Sequence, residues 1–159
     1  MTSENTVAGG TRPRSASGKP LVDPRGPRFG AGITSVVLAV VLLVAPSGAA
    51  NVLLALQWLA FGAGAAFGLA YSPYGVIFRR LVRPRLGPPS HWEEEAPPRF
   101  AQAVGFGFAT VGLIGFLVGW AALGYVAVAM ALAAAFLNAA FDYCLGCETY
   151  LLLARMRRR

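Results

Sequence analysis

Two long stretches of this chain, residues 30–78 and 100–141, contain no Asp, Glu, Lys, Arg or His. So long an uncharged, mostly apolar run cannot be packed into the core of a small water-soluble domain. One helical crossing of a bilayer takes about 20 apolar residues, so each stretch holds roughly two crossings joined by a tight turn. The expectation is an all-α, polytopic membrane protein of about four transmembrane helices arranged as two hairpins. The composition is of the same kind, with 56% hydrophobic and only 13% charged residues among 159, too little polar surface for an ordinary soluble domain.

The basic residues lie outside the two stretches, in three clusters. Arg12, Arg14, Lys19, Arg25 and Arg28 precede the first hairpin. Arg79, Arg80, Arg83, Arg85 and Arg99 lie between the hairpins, and Arg155, Arg157, Arg158 and Arg159 follow the second. With an even number of crossings, all three clusters fall on one side. Retained Lys and Arg orient membrane segments, so that side is expected to be the cytoplasm, with both termini there and the chain in a bacterial plasma membrane. The Arg bias and the abundance of Ala and Gly suit a GC-rich bacterial genome. A net charge of +7 could attract nucleic acid. No basic face lies on a folded polar domain, however, so the expected partner is the lipid bilayer and its anionic headgroups.

Residues 1–20 are rich in Gly, Ser, Thr and Pro and are expected to form a disordered cytoplasmic tail. Residues 21–154 are expected to form the transmembrane domain, and residues 155–159 a basic cytoplasmic tail. Pro24 and Pro27 argue against a continuous helix over 21–28. Helices are expected over about 29–45, 51–71, 100–120 and from 123 as far as 154, with a cytoplasmic loop at 79–99. An interruption is expected at Ser72-Pro-Tyr-Gly75, with Tyr71 and Tyr74 at headgroup level. Gly64 with Gly68, and Gly115 with Gly119, form small-xxx-small pairs. They suit close helix packing within the chain, or else a homo-oligomer. Residues 25–50 also resemble a secretory signal with a small-residue cleavage site, but cleavage there would strand a lone half-hairpin.

The polar residues that could carry chemistry gather near the end of the last helix: Asn138, Asp142, Tyr143, Cys144, Cys147, Glu148 and Tyr150. The only two cysteines stand three apart as Cys144 and Cys147. Three-apart residues share a helical face and can approach bonding distance, which suits a reversible disulfide or two legs of a metal site. Inert packing of two small thiols fits as well. On an unbroken helix the pair would lie deep in the chain, away from the helix N-terminus that stabilises a thiolate, and Asp142 and Glu148 would oppose ionisation. A break at Gly146 would change that by starting a short helix at Cys147. A metal would need Cys144, Cys147 and Glu148, with Asp142 or His91 completing the set.

Asp142 is the acid expected nearest to hydrocarbon, functional or paired with Arg28, Arg79 or Arg80. Asp23 is expected to form an ion-pair cluster with Arg25 and Arg28. No nucleophile elbow, phosphate loop or zinc-protease signature is present, and no cofactor is expected.

Several strings together resemble the bacterial integral-membrane family known as domain of unknown function 4395. They are VDPRGPRF at 22–29, SPYG at 72–75, VRPRLGPP at 82–89, PRFAQ at 98–102, FLNAAF at 136–141 and CLGCE at 144–148, followed by Tyr150. The resemblance brings no established activity. Genes of the family are described near those of thioredoxin-like and sulfurtransferase proteins, which implies a thiol or sulfur-relay role for Cys144 and Cys147. A soluble partner of either kind would dock on Arg79, Arg80, Arg83 and Arg85. The alternatives are a membrane scaffold with structural cysteines and a Cys/Glu metal protein.

Overall fold

A computed structural model describes residues 13–157. Among the described residues four helices are long and apolar enough to cross a membrane: α1 (Arg25–Val44), α2 (Gly48–Phe67), α4 (Ala96–Leu117) and α5 (Ala121–Phe141). Between α2 and α4 lie a 3₁₀ turn (Leu69–Tyr71), the short helix α3 (Pro73–Ile77), a π turn (Phe78–Val82) and a second 3₁₀ turn (Arg83–Arg85). A twelve-residue helix, α6 (Leu145–Met156), closes the described chain. The protein is an all-α polytopic membrane protein. Among the described residues the sheet is a single antiparallel pair, β1 (Leu21–Val22) with β2 (Glu93–Glu94), in register Leu21 to Glu94 and Val22 to Glu93.

The helices do not end where apolar patterning alone puts them. α1 starts four residues before the expected position and takes in Pro27. The first-turn N–H groups of a helix have no partner, so proline there removes nothing that was in use. The same reasoning covers Pro97 and Pro98 in the first turn of α4. α2 stops at Gly68, whose φ of +94° a side chain would strain, so the interruption precedes Ser72. Gly119 likewise lies beyond the end of α4 at φ +81°. Gly68 and Gly119 are therefore helix terminators, and the two expected small-xxx-small pairs are not helix faces.

α2 packs along α4, α1 along α5, and α4 along α5, with α6 folded against the start of α4. Burial of apolar area does not drive helices together in lipid, so close packing has to. Gly115 supplies it, since a Cβ there would come within 2.5 Å of the Gly124 nitrogen. Leu38, Val41, Leu54, Val128 and Phe116 fill the centre, while Leu43, Leu56, Leu117 and Met130 face outward, where lipid would lie.

Every charged group described lies at one end of the bundle, and the other end is two short uncharged turns. At the charged end arginines close helix C-termini, whose last carbonyls have no partner within the helix. Arg99 donates to the Ala65 and Ala66 carbonyls at 2.7 and 2.6 Å. Arg79 donates to the Ala70 carbonyl. Of the tail expected to be disordered, residues 1–12 lie outside the described residues. Pro13–Pro20 form a turn, tied down by Leu21 N–H to the Pro13 carbonyl at 3.0 Å and by Lys19 to Glu94 at 2.9 Å.

Candidate cysteine site

The last span does break, four residues before the glycine expected to break it. α5 ends at Asp142, in the left-handed region at φ 57°, ψ 27°. That conformation costs most residues about 1–2 kcal/mol, and Asp and Asn tolerate it best after glycine. Arg28 of the adjacent helix α1 holds the break. Its Nε donates to the Ala139 carbonyl at 3.0 Å and its Nη2 to the Ala140 carbonyl at 3.5 Å. Its Nη1 lies 3.8 Å from the Asp142 carboxylate, which is 66% exposed. Arg28 thus leaves the expected Asp23 cluster and joins Asp142, while Asp23 keeps a two-pronged contact with Arg25 at 2.9 and 2.8 Å.

After the break Cys144 becomes the N-cap of α6, extended at φ −87°, ψ 98°. Its Sγ accepts from the Cys147 N–H at 3.2 Å, in the manner of an oxygen cap. The two Cα atoms are 5.2 Å apart and the sulfurs are at bonding distance, so the oxidised form is geometrically accessible. The concern that the pair would sit far along a continuous helix is therefore removed: it stands at a helix N-terminus, where amide N–H groups and the dipole favour negative sulfur. Glu148, in the first turn of α6, stabilises that helix end yet opposes a thiolate nearby.

Gly146 fits the cysteine turn onto α4. A Cβ there would lie 2.6 Å from the Ala101 Cβ and 2.7 Å from its Cα. One turn on, the Tyr150 and Phe100 rings meet at 5.8 Å. Both cysteines are half-buried, whereas Asp142, Tyr143 and Glu148 are exposed.

The remaining expected site residues lie elsewhere. His91 contacts Ser90 and Glu93 in the exposed connector. Among the described residues no three His, Cys, Asp or Glu side chains converge as a metal site. Arg83 sits 5.5 Å over the Trp92 ring, Arg85 donates to the Leu81 carbonyl, and Arg80 is exposed.

The chain belongs to the family of Domain of unknown function (DUF4395). The match covers residues 22–155 and so takes in both hairpins and the cysteine turn. Neither a curated protein nor a solved structure matches this DUF4395 chain.

Two polar features were missed in the sequence. Glu95, not Asp142, is the acid most withdrawn from solvent among the described residues, at 5% exposed, and its Oε1 accepts from the Leu69 N–H at 2.8 Å. Its signal was an acid directly before a Pro-Pro helix start. Gln57, 1% exposed in mid-span, donates to the Thr34 hydroxyl at 3.2 Å and accepts from the Tyr74 hydroxyl at 2.6 Å. Burial pushes the Tyr74 phenol above its ordinary pKa and keeps it a donor. Tyr74 is thus turned inward, unlike the headgroup position expected for it. A polar side chain in a membrane-length apolar run was its signal.

Proposed function

We propose that this chain is a thiol–disulfide component of the bacterial plasma membrane, with both termini cytoplasmic. Its Cys144–Cys147 pair would exchange a disulfide, or a persulfide sulfur, with a soluble thioredoxin-like or sulfurtransferase partner. The observation that carries this is the cap: the Cys147 N–H points at the Cys144 sulfur at the start of a fresh helix. Negative charge on Cys144 is stabilised there, so Cys144 attacks and Cys147 resolves.

In the reducing direction the Cys144 thiolate attacks one sulfur of a partner disulfide. The partner's other sulfur leaves and takes a proton. Cys147, losing its proton, then attacks the Cys144 sulfur, releases the partner as a dithiol and forms the Cys144–Cys147 bond. Two electrons pass to the partner, and the reverse sequence returns them. Arg79, Arg80, Arg83 and Arg85 stand at the same charged end and would meet an acidic partner surface. Cytosolic reductants would favour the dithiol at rest.

Thiol trapping in intact cells tests this. A gel shift should report the dithiol in resting cells and the disulfide after an oxidant pulse. A Cys147→Ser chain should accumulate a mixed disulfide through Cys144, whereas Cys144→Ser should not. An unchanging redox state, or a double Cys→Ser chain with unaltered function and stability, would assign the pair to packing alone.

A further inference from the structure

Three kinds of surface run along α6. Gly146, Tyr150 and Ala154 recur one turn apart and are half-buried, Gly146 against Ala101 and the Tyr150 ring against Phe100. On a second face Leu145, Leu152 and Met156 recur at whole-turn spacing and are 39%, 58% and 57% exposed. Glu148 and Arg155, two turns apart, make a narrow polar stripe between the others. Leu151 and Leu153 are exposed as well. A helix this short is marginal in water by itself, and an uncovered apolar face weakens it further.

The contacts of α6 set its depth. Phe100 and Ala101 open the uncharged run of α4, so they stand at the edge of the hydrocarbon. Gly146 and Tyr150 are held against these two residues. The span α5 ends at Phe141, and from there the chain reaches Leu145 within about 14 Å. The open apolar face of α6 therefore begins at the headgroup layer. Charge selects the lipid. Arg155 lies in the last turn, Arg157 is the C-cap, and Arg158 and Arg159 follow in the sequence, with no acid after Glu148. An apolar helix face ending in arginines is complementary to an anionic leaflet, which offers acyl chains to the one and phosphates to the other.

We propose that α6 is an interfacial helix seated on anionic phospholipid, in the leaflet at the charged end of the bundle. Leu145, Leu152 and Met156 enter the acyl boundary, and Arg155 and Arg157 hold headgroup phosphates. Cys144 caps this helix, so the lipid that seats α6 also fixes the cysteine turn at the headgroup layer. The seat requires no redox activity of the pair.

The test uses the full chain in nanodiscs of phosphatidylcholine, with and without phosphatidylglycerol. Cys144→Ser with Cys147→Ser clears the background, and serine at the first position keeps a cap oxygen. A nitroxide is then attached through Leu152→Cys, Met156→Cys or Glu148→Cys, one at a time. Relaxation by oxygen reports lipid, and relaxation by a soluble nickel chelate reports water. The Leu152 and Met156 positions should be oxygen-exposed and nickel-shielded, and the Glu148 position the reverse. Phosphatidylglycerol should lower nickel access at the Leu152 position about twofold or more, and Arg155→Gln with Arg157→Gln should remove that difference.

Hydrogen exchange on the unlabelled parent gives a second reading should a labelled chain fail to fold. The α6 amides should exchange more slowly in the phosphatidylglycerol discs. Equal nickel access at all three positions would leave the face bare for a soluble partner and overturn the proposal. So would readings that ignore phosphatidylglycerol, or spin–spin broadening at the Leu152 position, which would give the face to a second copy.

Discussion

Cys144 and Gly146 show how much of the site rests on single atoms. The Cys144 sulfur takes the place of a cap oxygen, and the 3.2 Å contact from the Cys147 N–H is where thiolate character would be gained. Titrating each reduced single-cysteine chain with a thiol reagent should therefore give the lower pKa at Cys144. An equal or lower value at Cys147 would reverse the assigned roles. Gly146 has no room for a side chain against Ala101, so Gly146→Ala should push the cysteine turn off α4. The expected loss is about 1–3 kcal/mol, the range for overpacking, together with faster alkylation of both thiols. Asp23 is the residue whose charge matters to folding. Burial pushes its carboxyl up, but the hydrogen bonds from Arg25 and the charges of Arg25 and Arg83 pull it below its ordinary value. A lowered folded pKa means the stabilisation is present above the unfolded value of about 3.9 and is lost as pH falls through the folded one. Asp23→Asn should thus lower the melting temperature at neutral pH, and the gap should close in acid below about pH 4.

Among elements, the join between α5 and α6 decides the chemistry. An uninterrupted helix from 121 to 156 would carry the cysteines in mid-helix, with the Cys147 amide bound to a backbone carbonyl. The left-handed Asp142 prevents this, and Arg28 occupies the carbonyls that the break frees. Asp142→Gly should be tolerated, because glycine adopts that conformation without strain. Asp142→Leu should favour helix continuation, cost about 1–2 kcal/mol and suppress disulfide formation. Circular dichroism and the trapping gel, read together, check both variants. A Leu variant that oxidises like the parent would show that the break is not what presents the pair. The short helix α3 and the turns around it escaped the apolar pattern for a related reason. Their positions answer to Gly68, the Ser72 cap at 3.0 Å from the Gly75 N–H and the Arg79 contact, none of which has a periodicity.

For the whole molecule, the separation of charge to one end is the governing feature. It implies that impermeant thiol reagents applied outside intact cells should not reach Cys144 or Cys147, whereas permeant reagents should. Labelling from outside would invert the proposed topology and remove any cytoplasmic partner. The bundle itself depends on small residues at α4–α5. Gly115→Leu should separate these helices and cost several kcal/mol, because the nearest atoms are backbone and cannot step aside. A melt of the purified protein in detergent reads this directly.

Membrane residence, the four spans and their hairpin pairing were legible in the chain alone, because an uncharged run of that length has no other physical outlet and excluded charge has to collect at the ends. The unique cysteine pair was legible for the same local reason: spacing is written in sequence. Which end of which helix the cysteines occupy was not legible, because it turns on a backbone conformation at Asp142 held by Arg28 of the neighbouring helix α1, distant in the chain. The buried Glu95 belongs to that second class. Contacts between residues dozens of positions apart have no periodicity to read, and only packing brings them together.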